Sequence, residues 1–205
     1  QTDPTDYAVK KAEYDRKKEL QQNIQKERQK LATVGGTANN GNNLNKQEIK
    51  KLKKTRDSNI VWTDDSWISR YVLPYIKLAN EGAGWNFQLN GAENFQLTKY
   101  SPGGHYDWHC DSWESAYKEG DYAGNIRKLS MTLSLTDKTE YEGGELLFSY
   151  GNDDLKQKRK IKSCNEVFSK GSLVVFPSFI WHKVQPVMKG TRYSLVIWNL
   201  GNPFL

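Results

Sequence analysis

The chain has three histidines, His105, His109 and His182, and two of them stand where a metal ion could use them. His109-Cys110-Asp111 is an H-x-D element. On a strand, residues i and i+2 face the same side, so His109 and Asp111 would point together and Cys110 away. An imidazole and a carboxylate on one face supply two thirds of a facial triad, which leaves positions on the ion open for other ligands. His182, at the start of a strand candidate in Trp181-His182-Lys183-Val184, is a distant candidate for a third donor. Each sign is weak alone. H-x-D arises by chance and also describes a surface ion pair, and a histidine such as His182 can be a buried ring bonded to backbone.

Arg192 follows His182 by ten residues, in Gly190-Thr191-Arg192-Tyr193-Ser194-Leu195-Val196-Ile197-Trp198. Strand alternation puts Arg192, Ser194, Val196 and Trp198 on one face. A guanidinium facing a barrel interior is costly unless paired. A dicarboxylate ligand would pair it in the bidentate geometry that guanidinium favours, and an internal Arg–carboxylate pair would serve as well.

These residues must be positioned by strands. After Trp85 the chain offers short β-branched or aromatic runs at 86–90, 94–100, 106–111, 128–136, 145–149, 160–162, 166–168, 173–176, 181–186 and 192–199, separated by Gly, Asn, Asp or Pro. Many short strands without interleaved helices point to a sandwich or barrel. Before them, Trp62, Trp67, Tyr71, Leu73, Ile76 and Leu78 fit a helix packed on a sheet, capped by Thr63 or Asp64 and running to about Asn80. Pro74 should kink or divide it.

Residues 1–60 carry 14 Lys/Arg against 8 Asp/Glu, whereas residues 61–205 carry 16 of each, so the whole net charge of +6 belongs to the first segment. That segment reads as a charged helix over 5–31, a Gly/Asn-rich linker over 35–43 and a basic stretch over 46–56. Such an extension can bind nucleic acid or an acidic partner. It has only two aromatics for base stacking, Tyr7 and Tyr14, and a solvated handle fits it better. We divide the chain into this segment, 1–58, and a main domain, 59–205. Two cysteines, Cys110 and Cys164, make no disulfide framework, so a reducing, intracellular setting is expected. No run approaches the roughly 20 apolar residues of a membrane span, and the first residues lack an apolar signal-peptide core.

The full order resembles one family. H-x-D, about seventy residues, His, ten residues, then Arg, on a β-rich chain, is similar to the Fe(II)/2-oxoglutarate dioxygenase superfamily, in particular its prolyl 4-hydroxylase-like branch. Tyr100, the Gly103-Gly104 turn, Tyr106 and Tyr141-Glu142-Gly143-Gly144-Glu145-Leu146 strengthen the likeness, which covers roughly residues 60–205. The resemblance implies a mainly β fold with flanking helices, built on a double-stranded β-helix (a cupin-like jelly roll). It implies Fe(II) held by His109, Asp111 and His182, with 2-oxoglutarate and O2 as co-substrates and ascorbate as a helper. Arg192 would hold the C5 carboxylate, Tyr100 would assist it, and Thr132 or Ser134 would contact the co-substrate. Trp198 and Tyr106 would line the substrate pocket. The implied reaction is C–H hydroxylation of a prolyl residue in a peptide or protein, releasing succinate and CO2.

Two departures matter. Collagen-type members usually place lysine where Arg192 stands. Demethylases of nucleic acids in this superfamily carry a second arginine where this chain has Trp198, which argues against nucleic acid. A free amino acid, another small molecule, or a non-catalytic binding module of the same fold are the alternatives. A complete ligand set weighs against the last.

Overall fold

The computed structural model describes residues 15, 16, 18–29, 52–112, 115–150, 160–165 and 169–204. The rest of the basic N-terminal segment, residues 113–114 and 151–159, and the strand expected at 166–168 lie outside them.

Two antiparallel sheets face one another. The larger runs in the order β10 (Leu173–Pro177), β6 (Ile126–Ser134), β13 (Arg192–Gly201), β4 (Phe95–Tyr100) and β2 (Asn59–Thr63), with the two-residue β3 (Gly91–Ala92) also paired to β13. The smaller runs in the order β1 (Arg56–Asp57), β5 (His105–His109), β11 (Trp181–Val184), β8 (Leu146–Tyr150) and β9 (Lys160–Ser163). A third pair joins β12 (Val187–Gly190) to β7 (Tyr141–Gly143). This is the double-stranded β-helix the sequence resemblance implies.

Period-2 alternation on the larger sheet separates its two tasks. In β6, Leu129, Met131 and Leu133 face one way and Ser130, Thr132 and Ser134 the other, yet all six are buried. The apolar set joins Leu97, Leu195 and Ile197 under helix α3 (Ser66–Gly82), which buries Ile68, Val72 and Ile76 at i, i+4 and i+8. Ile24, on helix α1 (residues 18–29), reaches the same core. The polar set is buried because it faces inward, not to solvent: Thr132 lines an internal chamber, Ser130 donates to Asp111 and Ser134 to the Thr136 carbonyl.

Several expectations need correction. Helix α3 begins one to two residues later than expected: its cap position is Asp65, which makes no side-chain capping bond, because Asp65 and Thr63 are bonded to each other instead. Pro74 neither ends nor divides the helix. It stands on the exposed face, where water can satisfy the carbonyl its ring leaves unbonded. Residues 86–90 form no strand. Asn80 binds the Phe87 backbone through both its amide atoms, Phe87 packs edge-on against Phe204, and only Asn90 reaches the sheet, donating to Leu200. Among the described residues of the basic stretch before the main domain, 52–55 form helix α2, after which Arg56 turns into β1. Strands β1, β2, β3, β7 and β12 were not anticipated. Among the described residues, no helix is long and apolar enough to cross a membrane.

Candidate active site

His109 ends β5 and His182 sits in β11, and the two are register partners on adjacent strands. Asp111 lies beyond the end of β5, not on it as expected. Its amide donates to Ser178 O at 2.8 Å, and Ser112 donates to the same carbonyl at 3.0 Å, so the chain bends there and swings the carboxylate back over the histidines. His109 Nε2 lies 3.8 Å from Asp111 Oδ1 and His182 Nε2 3.5 Å from Asp111 Oδ2. All three donor atoms fall within 4.8 Å of one another. Donors about 2.1 Å from one ion lie no more than about 4.2 Å apart, so both measured separations suit a shared ion.

The histidines are set for that task by their own strands. Nδ1 of His109 meets Asp107 O at 2.7 Å, and Nδ1 of His182 meets Ile180 O at 2.8 Å. A carbonyl only accepts, so each Nδ1 carries the proton and each Nε2 presents its lone pair to the cluster. Burial pushes His109 down to about 4, helped by the neighbouring His182 and opposed by Asp111. The ring is neutral at pH 7, as a ligand must be. Burial alone would raise the Asp111 carboxyl, but His182, His109 and the Ser130 hydroxyl outweigh it and hold it below the usual carboxylate range. Ser130 Oγ donates to Asp111 Oδ2 at 2.7 Å and is 2.9 Å from Ser178 Oγ. Sequence reasoning missed both serines. Ser130 is legible only as an inward position of the Leu/Ser/Thr alternation.

The chamber beside this cluster is lined by Arg192, Tyr100, Thr132, Tyr106 and Trp198, each anticipated from sequence, and by Arg56 and Gln96, which were not. Arg192 is 2% exposed. Its Nη1 reaches Ser194 Oγ at 3.4 Å, and its guanidinium carbon lies 5.5 Å from the Tyr100 ring, its register partner on β4. No carboxylate among the described residues pairs with it. Its stem is accommodated by Gly144, at φ +66, where a Cβ would come 3.1 Å from Arg192 Cδ. Tyr106 stacks on His109 with centroids 3.5 Å apart. Trp198 is held under Arg127, whose guanidinium carbon lies 3.8 Å from the indole centroid. Arg127 is fixed in turn by a bidentate pair with buried Glu93 at 2.5 and 2.6 Å, which also accepts from Tyr117 at 2.7 Å. This network ties the loop after Asp111 to the chamber wall. His105 is not a free turn residue: it opens β5, and its ring nitrogens meet Gly103 O and Lys54 O at 3.0 and 3.1 Å.

The fit of an anionic ligand rests on three buried polar atoms at or beside this chamber. Arg56 Nη2, Trp198 Nε1 and Tyr141 Oη are buried without a hydrogen bond. The first two residues line the chamber, and the third lies beside Arg192, whose charge acts on it, although burial keeps its phenol raised. All three atoms can donate. Buried donors without acceptors are rare, and two of these residues share the chamber with the buried guanidinium of Arg192.

Comparison with known proteins decides the family. Residues 95–199 match the model of the 2OG-Fe(II) oxygenase superfamily. The chain belongs to that superfamily. Among curated proteins it is similar to a PKHD-type hydroxylase of Sphingopyxis alaskensis, 34% identical over 96 residues, which is 47% of this chain and 38% of the relative. A PKHD-type hydroxylase of a Synechococcus species is 34% identical over 103 residues, 50% of this chain and 39% of the relative. The chain thus spans about two fifths of these relatives' length. Among solved structures, a prolyl-4-hydroxylase of Pseudomonas putida shares the fold, with a TM-score of 0.55 at 22% identity over 88% of this chain and 84% of that one.

Proposed function

We propose that this oxygenase hydroxylates a C–H bond of a prolyl residue in a peptide or protein, using Fe(II), 2-oxoglutarate and O2. The observation that carries the reading is Arg192. It is a buried guanidinium without a carboxylate partner, in the chamber that holds the three-donor cluster. The PKHD-type hydroxylases and the Pseudomonas putida prolyl-4-hydroxylase support the substrate class.

In this reading His109, Asp111 and His182 hold the iron, and their Nδ1 and Oδ contacts fix the direction of each lone pair. Iron there supplies coupled oxidation, turning R–H, 2-oxoglutarate and O2 into R–OH, succinate and CO2. Arg192 takes the C5 carboxylate in charge-assisted hydrogen bonds, with Tyr100 and Thr132 shaping the walls of that pocket. Neutral histidines and an ionised Asp111 supply a single negative charge to the ion, which leaves room for a dianionic co-substrate. Tyr106 and Trp198 border the metal on the substrate side. The faces of Tyr106 are covered by His109 and Arg56, so its edge and Trp198 would exclude water from the reacting centre. Ascorbate would keep the iron reduced between turnovers. Residues 59–205 would carry the catalytic machinery and 1–58 would be an accessory segment. Two cysteines outside any disulfide, Cys110 and Cys164, fit an intracellular setting.

The test is succinate formation by protein supplied with Fe(II), ascorbate, 2-oxoglutarate and O2, with and without a panel of proline-containing peptides. Succinate that rises with one peptide, with one added oxygen atom on a prolyl residue of that peptide, is the expected result. Succinate stimulated instead by RNA, DNA or a free amino acid would overturn the prolyl assignment and keep the oxygenase.

A further inference from the structure

Arg56 lies outside the H-x-D, His and Arg pattern, more than fifty residues before the first ligand in the sequence. The fold nevertheless brings it to the chamber. Edge strand β1 pairs with β5 so that Arg56 stands opposite Tyr106, and its guanidinium carbon lies 4.6 Å from the Tyr106 ring centroid. Tyr106 itself stacks on His109. Arg56 Nε donates to Ser58 Oγ at 2.9 Å, which orients the planar group. Its Nη2 is buried and makes no hydrogen bond, and no acidic side chain among the described residues pairs with it.

The chamber therefore presents two guanidinium groups, Arg56 and Arg192, against one carboxylate, Asp111. A divalent ion in the cluster would leave that balance at three positive charges. A dicarboxylate would lower it to one. A mobile surface arginine would turn its free N–H groups to water. Arg56 cannot, because its ring and hydroxyl contacts hold Nη2 inside.

We propose that Arg56 is a second carboxylate-binding residue of the chamber, donating through Nη2 to 2-oxoglutarate and clamping it together with Arg192. This rests on the reading of the chamber as a 2-oxoglutarate site. It makes Arg56 a co-substrate residue contributed by the chain that precedes the main domain. Truncation that removes β1 would then cost co-substrate affinity as well as a strand.

The experiment is calorimetric binding of 2-oxoglutarate to the full chain with Mn(II) in place of iron, without peptide, so that no turnover intervenes. Wild type is compared with Arg56→Gln and Arg56→Lys, and the melting temperature of each free protein is measured alongside. A lost charge-assisted hydrogen bond to a buried carboxylate should raise the Kd of Arg56→Gln about tenfold or more. Arg56→Lys, which keeps the charge but not the fork, should raise it only several-fold. The free-protein melting temperature should hold or rise. Equal affinity in wild type and both variants would overturn the inference and leave Arg56 as a brace for β1. A fall in affinity that tracks a fall in melting temperature in both variants would also overturn it. Failure of wild type to bind 2-oxoglutarate would sink the chamber's assignment itself, a separate result.

Discussion

Replacing Arg192 with methionine should move stability and co-substrate binding in opposite directions. Arg192 is 2% exposed and its hydrogen bond to Ser194 Oγ is long at 3.4 Å. In the free protein it is a buried cation whose desolvation no carboxylate offsets, and replacing such charges by apolar groups of similar volume is often neutral or stabilising by about 1–4 kcal/mol. For a domain of this size each kcal/mol moves the melting temperature by roughly 2–4 °C. Free Arg192→Met should therefore melt no lower than wild type, and a rise of several degrees is the central expectation. With 2-oxoglutarate the balance reverses. The variant strips the C5 carboxylate of its charged partner and buries it beside a thioether. Breaking one side of a buried charge pair costs about 3–5 kcal/mol, so the Kd should rise by roughly two to four orders of magnitude. Differential scanning calorimetry of the free variant and isothermal titration with 2-oxoglutarate give both numbers. An Arg192→Met protein that binds 2-oxoglutarate like wild type would refute the carboxylate assignment. One that melts ten degrees lower would show that Arg192 braces the fold.

Other outcomes follow from the same geometry. Ser130→Ala removes the 2.7 Å hydrogen bond to Asp111 and should weaken metal binding by about 10- to 100-fold, read by Mn(II) or Co(II) titration; unchanged affinity would mean that the Ser178 backbone alone orients the carboxylate. The metal-free protein should lose stability in acid. His109 titrates near 6.5 unfolded and at about 4 folded, so its contribution is intact above about pH 6.5 and falls as pH drops towards 4, by up to roughly 3 kcal/mol. Asp111, held below the usual range, loses stability in the same direction, and denaturant midpoints across pH 4–7 would expose a flat profile if either assignment is wrong. Gly190 has φ +74, and a Cβ there would run into Glu140 O and the Tyr141 backbone. Gly190→Ala should therefore destabilise by about 2 kcal/mol or more, and a melting temperature within a degree of wild type would contradict it.

The sequence discloses what repeats with a period and what sits close in the chain. The Leu129-Ser130-Met131-Thr132-Leu133-Ser134 alternation announces a strand with two different faces, and the same rule places Arg192 with Trp198. His109, Asp111, His182 and Arg192 are legible because spacing and residue type together resemble a known order. The contacts that set them are not. Asp111 reaches the histidines through a bend fixed by Ser178, 67 positions later, and no local pattern signals that bend. Arg56, and the Glu93–Arg127–Tyr117 network under Trp198, join segments far apart in the chain, so their partners emerge only when the sheets close. Residues 86–90 mislead for a related reason: Phe87 and Leu89 look like alternating strand residues, but they pack beside α3 with most of their backbone unpaired in either sheet. Pro74 misleads because propensity counts the lost hydrogen bond without knowing that it faces water.

The most direct test of the site is equilibrium binding of 2-oxoglutarate under anaerobic conditions, with and without Fe(II), to wild type and to Asp111→Ala. One 2-oxoglutarate per chain, bound tightly only when Fe(II) is present and lost in Asp111→Ala with the circular dichroism unchanged, is the expected result. Binding that ignores both the metal and Asp111, or no binding by wild type with Fe(II), would contradict an iron and 2-oxoglutarate centre built on His109, Asp111, His182 and Arg192.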